Sequence, residues 1–234
     1  MTTEEFSDAF DVMLNSMGME MGWGEAGENA SFSLNEYEKS VYLTKAQQDV
    51  VRGLYDGSMT GRAFEQTEQL RSALQGLVRT ATPEQVTGYC GLSDNSVFYK
   101  LPADVWYITY EQAVLSDGGY CNGEAAEVVP VRQDQWHKTR RNPFRRPSER
   151  RVARMDNGQG VVELISSGTI GTYTVRYLRK PKPIILEDIE DPVLSIDGRT
   201  EVTECELGVM LHRPILDRAV QLASARFITN NEKR

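Results

Sequence analysis

The stretch of sequence at residues 171–186, GTYTVRYLRKPKPIIL, joins the β-strands and the helices that the sequence predicts. Within Tyr173–Tyr177 every second residue is aromatic or β-branched, which is the period of a β-strand with one buried face. Pro181 and Pro183 cannot donate hydrogen bonds to a neighbouring strand, so the strand must end before them. We therefore predict that this strand is the last of a sheet, and that the chain continues from it into a closing helix.

Three amphipathic helices are predicted before the sheet. Two of them begin with a capping box, in which a Ser or Thr is followed three residues later by Glu. The capping pairs are Thr2 with Glu5 and Ser33 with Glu36, and the predicted helices cover residues 1–17, residues 33–56 and Ala63–Arg79. Each helix has apolar residues on one face only, so each must cover another surface. We expect a helical bundle over residues 33–95.

A glycine-rich segment, residues 18–32, separates the first two helices. Its four glycines disfavour any regular element, so we expect a flexible connection. A second interpretation stays open, in which Trp23 and the methionines beside it anchor this arm on a neighbouring subunit.

An antiparallel β-region is predicted over residues 96–186. Runs of aromatic and β-branched residues indicate its strands, and Pro, Gly and Asn mark the turns between them, including one expected at Asp117–Gly119. The predicted strands are Val97–Leu101, Val105–Tyr110, Glu127–Arg132, Arg150–Met155 and Val161–Ile165, followed by the strand described above. Arg150–Met155 and Val161–Ile165 are expected to form a hairpin.

A linker over residues 187–206 and a C-terminal helix over residues 207–228 complete the prediction. The helix contains Pro214, which we expect in its first turn, where the missing amide hydrogen is not needed. The predicted fold class is therefore α+β. An N-terminal helical bundle is completed by the C-terminal helix, and the antiparallel β-region lies in the middle.

Composition limits the classes of protein to consider. Hydrophobic residues make up 40% of the chain and charged residues 26%, as in ordinary globular proteins. Neither a membrane-spanning run nor a signal peptide is recognisable, so we predict no membrane association. Cys90, Cys121 and Cys205 are widely spaced and odd in number, which predicts reduced thiols and synthesis in the cytoplasm.

Patterns of catalytic or metal-binding residues are missing from the sequence. His137 and His212 lie far apart and have no cysteine or acidic residue in zinc-ligand spacing. No GxSxG, P-loop, GxGxxG or HExxH motif is present. The four acidic residues within Glu187–Asp191 are more typical of a solvated turn than of a metal site. We predict no enzyme, no cofactor and no metal.

The strongest signal in the sequence is a basic segment, Arg132–Arg154, which we call the basic loop. Its nine basic and two acidic residues give it a charge of +7. Since the whole chain carries −8, the remainder carries −15. Pro143 and Pro147 flank Phe144 and stiffen the loop. Separation of charge on this scale says more about binding partners than about fold.

Three interpretations of the basic loop stay open. It is solvated or pairs with acidic groups of its own chain, or its arginines pair with carboxylates on a neighbouring copy. In the third, it binds nucleic acid through phosphate contacts, with Trp136 and Phe144 stacking on bases. The second interpretation would give a head-to-tail contact, which closes into a ring when the rotation permits. The acidic remainder of the chain opposes the third.

Three stretches, in this order, are similar to those of a known protein family. They are Leu34–Ser40 running into Leu43–Gln47, then Val129–Val131 with Asn142–Pro147, and finally Tyr177–Ile184 with Cys205, Leu207 and the run His212–Ala223. Together they resemble head-to-tail junction proteins of crAss-like and related podovirus-type tailed phages. The resemblance extends over about residues 33–225, and none of the stretches is a catalytic signature.

The resemblance implies a virion structural protein that works as a head–tail connector, a portal adaptor or tail-tubular-like ring. It implies a homo-oligomeric ring, expected to be dodecameric, that binds the portal protein and other tail or ring proteins. Genomic DNA would pass through its lumen during ejection. The expected interaction residues are Trp23, Arg140, Arg141, Phe144, Arg145, Arg146, Arg150, Arg151, Arg179, Lys180 and Lys182. The alternative is a nucleic-acid-binding packaging or virion accessory protein.

Overall fold

The structure, a computed structural model, describes residues 1–20, 34–116 and 123–231. The chain divides into two compact units, residues 1–77 with 181–234 and residues 78–180, which we call the helical unit and the sheet unit. Trp23, most of the glycine-rich segment 18–32 and the turn expected at residues 117–119 lie outside the described residues.

The described elements confirm the α+β fold class. The helices are α1 (Thr3–Glu20), α2 (Glu36–Asp56), α3 (Glu68–Leu74), α4 (Trp136–Arg141) and α5 (Val209–Asn231). The strands are β1 (Val78–Ala81), β2 (Glu84–Val86), β3 (Ser96–Lys100), β4 (Val105–Leu115), β5 (Ala125–Pro130), β6 (Arg151–Asp156), β7 (Val161–Ile165) and β8 (Ile170–Arg179). None of these helices is long and apolar enough to cross a membrane.

Helices α1 and α2 both begin with capping boxes, but the one on α2 is not the predicted pair. Thr2 and Glu5 exchange hydrogen bonds of 3.0 and 3.2 Å, as expected. On α2 the cap is Asn35, whose side chain accepts from the Glu38 amide at 2.8 Å, and not Ser33. Both pairs have the right spacing, and Asn35 lies nearer to the buried stripe of α2. Helix α1 also extends to Glu20, beyond the predicted end at residue 17.

The helical unit has its apolar core on α1, α2 and α5. Fully buried side chains come from all three helices: Phe6, Phe10, Leu14, Leu43, Val51, Ile215, Leu216, Ala219 and Val220. Pro214 is the sixth residue of α5, so the expectation that it lies in the first turn was wrong. A proline at that position removes one hydrogen bond of the helix, and the burial of Ile215 and Leu216 next to it offsets that loss.

The residues that follow the sheet, up to Leu186, pack along α2. The hydroxyl group of Thr44 bonds to both the amide and the carbonyl group of Ile184, at 3.1 and 3.2 Å. The hydroxyl group of Ser40 accepts from the Leu186 amide at 3.0 Å. Ile184 and Ile185 are fully buried. The second half of the stretch at residues 171–186 is therefore part of the helical unit.

The predicted third helix, Ala63–Arg79, was wrong in its length. A 3₁₀ turn at Phe64–Gln66 precedes α3, and the backbone becomes strand β1 at Val78. Gly76 weakens the helix just before a run of residues that suits a strand. Strands β1 and β2 both lie within residues 33–95, so that region is not helical throughout.

The sheet unit contains one eight-stranded sheet in the order β1-β8-β4-β5-β6-β7-β3-β2. Strands β1 and β2 lie at opposite ends of this order, yet only Thr82 and Pro83 connect them. Such a connection spans at most about 11 Å between the strand ends. The sheet must therefore curl until its two edges lie close together.

Pairing in the sheet is mostly antiparallel, with one exception that the sequence did not predict. β5 and β6 are parallel, with Glu127 opposite Arg151. The chain between them contains most of the basic loop and returns to the end of the sheet at which β5 begins, so β6 runs in the same direction as β5. The hairpin of β6 and β7 was predicted and is confirmed, with Ala153 opposite Ile165.

The core of the sheet unit lies on the concave face of the curled sheet. In β8, Tyr173, Val175 and Tyr177 are buried while Arg176 is exposed, which confirms the predicted alternation. Strands β3 to β7 contribute further buried members of this core: Tyr99, Ala113, Leu115, Ala126, Val128, Val152, Val162 and Leu164. Strand β7 is buried on both faces, because a smaller cluster covers its outer side.

Candidate functional site: a basic loop and a cleft on the sheet unit

The basic loop forms the crossing between β5 and β6 and is anchored by Trp136. This ring is 5% exposed and packs with Ala153, Met155 and Ile165 on the outer face of the sheet. The side-chain amide of Gln133 adds a hydrogen bond of 2.9 Å to the Asp156 carbonyl group. The first part of the loop, which includes α4, is thus fixed to the sheet.

The tip of the loop, Asn142–Pro147, is a compact turn. The Asn142 side chain accepts from the Phe144 amide at 2.9 Å. The Asn142 carbonyl group accepts from the amides of Arg145 and Arg146, at 3.1 and 2.9 Å. Phe144 is 91% exposed in spite of being the aromatic residue of this turn. The ordered turn thus presents this ring to solvent together with the arginines beside it.

Five arginines around the tip are exposed and form no ion pair with any described residue. They are Arg140, Arg141, Arg145, Arg146 and Arg150. Arg132 instead pairs with Asp134 at 2.8 Å, and Arg154 pairs with Glu111 at 2.6 Å. Pairing within the chain therefore accounts for those two arginines and leaves the tip available for a partner. Arg151, also predicted as an interaction residue, is half-buried at the start of β6.

The other basic residues predicted to bind a partner, Arg179, Lys180 and Lys182, lie outside the basic loop. Arg179 is the last residue of β8 and is half-buried, while Lys180 is exposed and its amide donates to the Asp104 carbonyl group at 3.0 Å. Lys182 belongs to the helical unit, where its amide donates to the Glu206 carboxylate at 2.8 Å. Their part in binding a neighbour stays a prediction.

A cleft of about 490 Å³ opens where β4 separates from β5 and β6. β4 pairs with β5 only at Gln112–Val114, and its earlier half contains two register shifts against β8. Bulges of this kind bend a strand and are frequent beside binding sites. Aromatic and acidic side chains line the cleft, among them Trp106, Tyr107, Tyr110, Glu111, Glu127 and Asp156.

A buried polar cluster contributes Glu111 and Arg154 to the lining of the cleft. Glu111 accepts hydrogen bonds from the Tyr173 hydroxyl group and from Arg154 Nη1. Burial raises the pKa of Tyr173 far above its ordinary value, and the Glu111 charge raises it further. Burial alone would lower the pKa of Arg154, but the Glu111 carboxylate overcomes this and raises it. Tyr173 and Arg154 thus keep their protons, and Glu111 has charge-assisted partners.

The rim of the cleft is acidic. Glu127 and Asp156 are exposed, and Asp156 lies 3.5 Å from Arg154 Nε. The lining thus contains three carboxylates and one guanidinium group, which leaves an excess of negative charge. This cleft was not predicted from the sequence. One signal pointed to it, since Glu111 alternates with Ala113 and Leu115 on a strand face that is otherwise apolar.

Other polar candidates have structural roles. His212 is buried, and its Nε2 lies 3.0 Å from the Leu207 carbonyl oxygen. Within the acidic segment before Pro192, Asp188 and Asp191 accept hydrogen bonds from the amides of Val202 and Val193. Over residues 1–20, 34–116 and 123–231, His, Cys, Asp and Glu side chains do not gather into a group of three or more that could hold a metal ion.

Comparison with known proteins identifies relatives over the full length of the chain. The sequence model of the family described as phage tail ring protein 3/4 matches residues 1–233. Ring protein 3 of Bacteroides phage crAss001 is 45% identical over 240 residues, which is 100% of both chains. Ring protein 4/5 of the same phage is 31% identical over 243 residues, which cover 97% of this chain and 94% of that one.

Proposed function

Because the chain belongs to the phage tail ring protein 3/4 family and is a ring structural protein of a crAss-like phage, we propose that its copies form a closed ring in the head-to-tail connector. The ring is made of this chain alone, with twelve copies, and it has no catalytic activity. Its neighbours along the tail axis are the portal protein and other ring or tail proteins. It is synthesised in the cytoplasm of the bacterial host and becomes part of the virion.

One observation supports the ring most directly: the exposed arginines at the tip of the basic loop have no carboxylate partner among the described residues. The same chain carries −15 outside this loop, so another copy supplies the complementary charge. A loop on one surface that binds a different surface of the next copy makes a head-to-tail contact. Repetition of that contact closes a ring when the rotation between copies permits it.

The acidic remainder also suits a channel for DNA. A negatively charged lumen repels phosphate groups, so duplex DNA slides through without binding. In this proposal the basic loop is used between subunits and does not face the genome.

The ring is tested by reversing charge at the loop tip with Arg145→Glu and Arg146→Glu. Both side chains are exposed, so folding should be unchanged while assembly is lost. The control carries Lys45→Glu and Arg62→Glu, two exposed residues of the helical unit, and should assemble normally. Sedimentation velocity and native mass spectrometry give the mass of each particle. A monomeric unsubstituted protein, or a loop variant that assembles as well as the control, would contradict the proposal.

A nucleic-acid-binding accessory protein is the second candidate. Exposed Phe144, beside arginines that pair with no described residue, also suits base stacking with phosphate contacts. That function requires affinity for duplex or single-stranded nucleic acid that falls steeply with salt. Fluorescence anisotropy with labelled DNA and RNA distinguishes the two candidates. The ring proposal expects no binding at physiological salt, and binding that depends on Arg145 and Arg146 would favour the accessory protein.

A further inference from the structure

We propose that the loop tip of one copy, Asn142–Pro147, inserts into the cleft beside β4 of the next copy. This inference rests on the proposed ring and assigns both sides of its contact. The donor is the Phe144 ring with the arginines around it. The acceptor is the cleft with Trp106, Tyr110, Glu127 and Asp156 in its lining.

Charge is the first argument. The tip presents Arg145 and Arg146 without partners among the described residues, while the cleft has an excess of carboxylates. Glu127 and Asp156 are exposed, so arginines from outside can reach both, and Asp156 also lies 3.5 Å from Arg154 Nε of its own chain. Arginine and carboxylate groups form paired hydrogen bonds with a planar geometry that fixes orientation as well as attraction.

Shape and chemistry are the second argument. A cleft of about 490 Å³ is large enough for an aromatic ring together with part of an arginine side chain. Trp106 and Tyr107 stack with their ring centres 4.8 Å apart, and Tyr110 is 51% exposed. Aromatic faces of this kind bind both a Phe ring and a guanidinium group.

The third argument concerns which copy supplies the tip. Phe144 is 91% exposed, so the tip does not occupy the cleft of its own chain. Trp136 fixes the base of the loop to the outer face of the sheet, and the turn around Asn142 shapes the tip in advance. A tip that is ordered before binding loses little entropy on insertion. The occupant is therefore the loop of a second copy, and the contact is head-to-tail.

The test is charge exchange between two variants. The tip variant carries Arg145→Glu and Arg146→Glu, and the cleft variant carries Glu127→Lys and Asp156→Lys. Either variant alone should need a protein concentration about a hundredfold higher to assemble, since like charges then meet across the contact. An equimolar mixture should form rings of alternating variants, because each altered tip then faces an altered cleft. A chain with all four substitutions should also assemble.

The matched control carries Glu84→Lys and Glu124→Lys, two exposed acidic residues of the sheet unit that do not line the cleft. It should assemble like the unsubstituted chain, and thermal unfolding should confirm that every variant is folded. If the tip variant fails to assemble while the cleft variant assembles normally, the assigned cleft is wrong and the ring proposal stands. If both assemble normally, or if the mixture does not recover rings, the inference is overturned.

Discussion

Replacement of Arg154 by Met should destabilise the sheet unit strongly. Glu111 is 4% exposed in its side chain and Arg154 11%, and their charged atoms lie 2.6 Å apart. The substitution leaves the Glu111 carboxylate buried, with the Tyr173 hydroxyl group as its one remaining side-chain partner among the described residues. Loss of one partner of a buried ion pair costs about 3–5 kcal/mol, a large part of the total stability of a domain. The control Arg176→Met, at an exposed position of β8, should change stability by less than about 0.5 kcal/mol.

Urea unfolding followed by tryptophan fluorescence measures this effect, because Trp106 and Trp136 lie in the sheet unit. All variants are compared at one protein concentration, since assembly itself stabilises the folded state. The triple variant Glu111→Leu, Arg154→Met and Tyr173→Phe replaces the polar cluster by apolar groups and should recover most of the loss. A loss below about 1 kcal/mol for Arg154→Met would mean that the pair behaves like a surface ion pair, and would refute the reasoning.

Two further predictions concern other ionisable groups. Lys39→Met should lower the free energy of unfolding by about 2 kcal/mol, because Lys39 is 3% exposed and donates to Asp11 and Glu36 at 2.7 and 2.9 Å. Thermal unfolding followed by circular dichroism measures this loss, with Lys45→Met at an exposed position as the control. Equal unfolding midpoints for the two variants would contradict the prediction. Stability should also fall above pH 10, the ordinary pKa of tyrosine, because Tyr173 stays protonated in the folded state and ionises in the unfolded state. In the Tyr173→Phe variant, the free energy of unfolding should fall less steeply with pH in this range, by up to about 1.4 kcal/mol per pH unit. An equally steep fall in the variant would exclude this role for Tyr173.

Elements with a long periodic signal were predictable from the sequence. The alternation in Tyr173–Tyr177 predicted β8, and helical spacing predicted α2 and α5. Strand β1 was not predictable, because its four residues carry no period of their own and pair with β8 about a hundred positions later. The parallel pairing of β5 with β6 was missed for a related reason. Nothing local to either strand specifies the direction of a partner across the loop between them.

Of the candidate site, the basic loop was predictable from the sequence and the cleft was not. Prolines on both sides of Phe144 indicated a stiff loop, and the structure shows arginines at its tip that form no ion pair with any described residue. The same run of charge also included Arg154, which is not available to a partner because it pairs with Glu111. These two residues are 43 positions apart, so the sequence did not reveal the pair. The cleft depends on the departure of β4 from β5, which is a property of the folded sheet.

A reconstruction of the virion at the head-to-tail junction tests the central claim most directly. We expect a closed ring of this chain around the tail axis, with Phe144 of each copy against the cleft between β4 and β5 of the next. The acidic surface outside the basic loop should face the channel. Copies located away from the axis, or a ring in which the loops point into the channel and contact DNA, would contradict it.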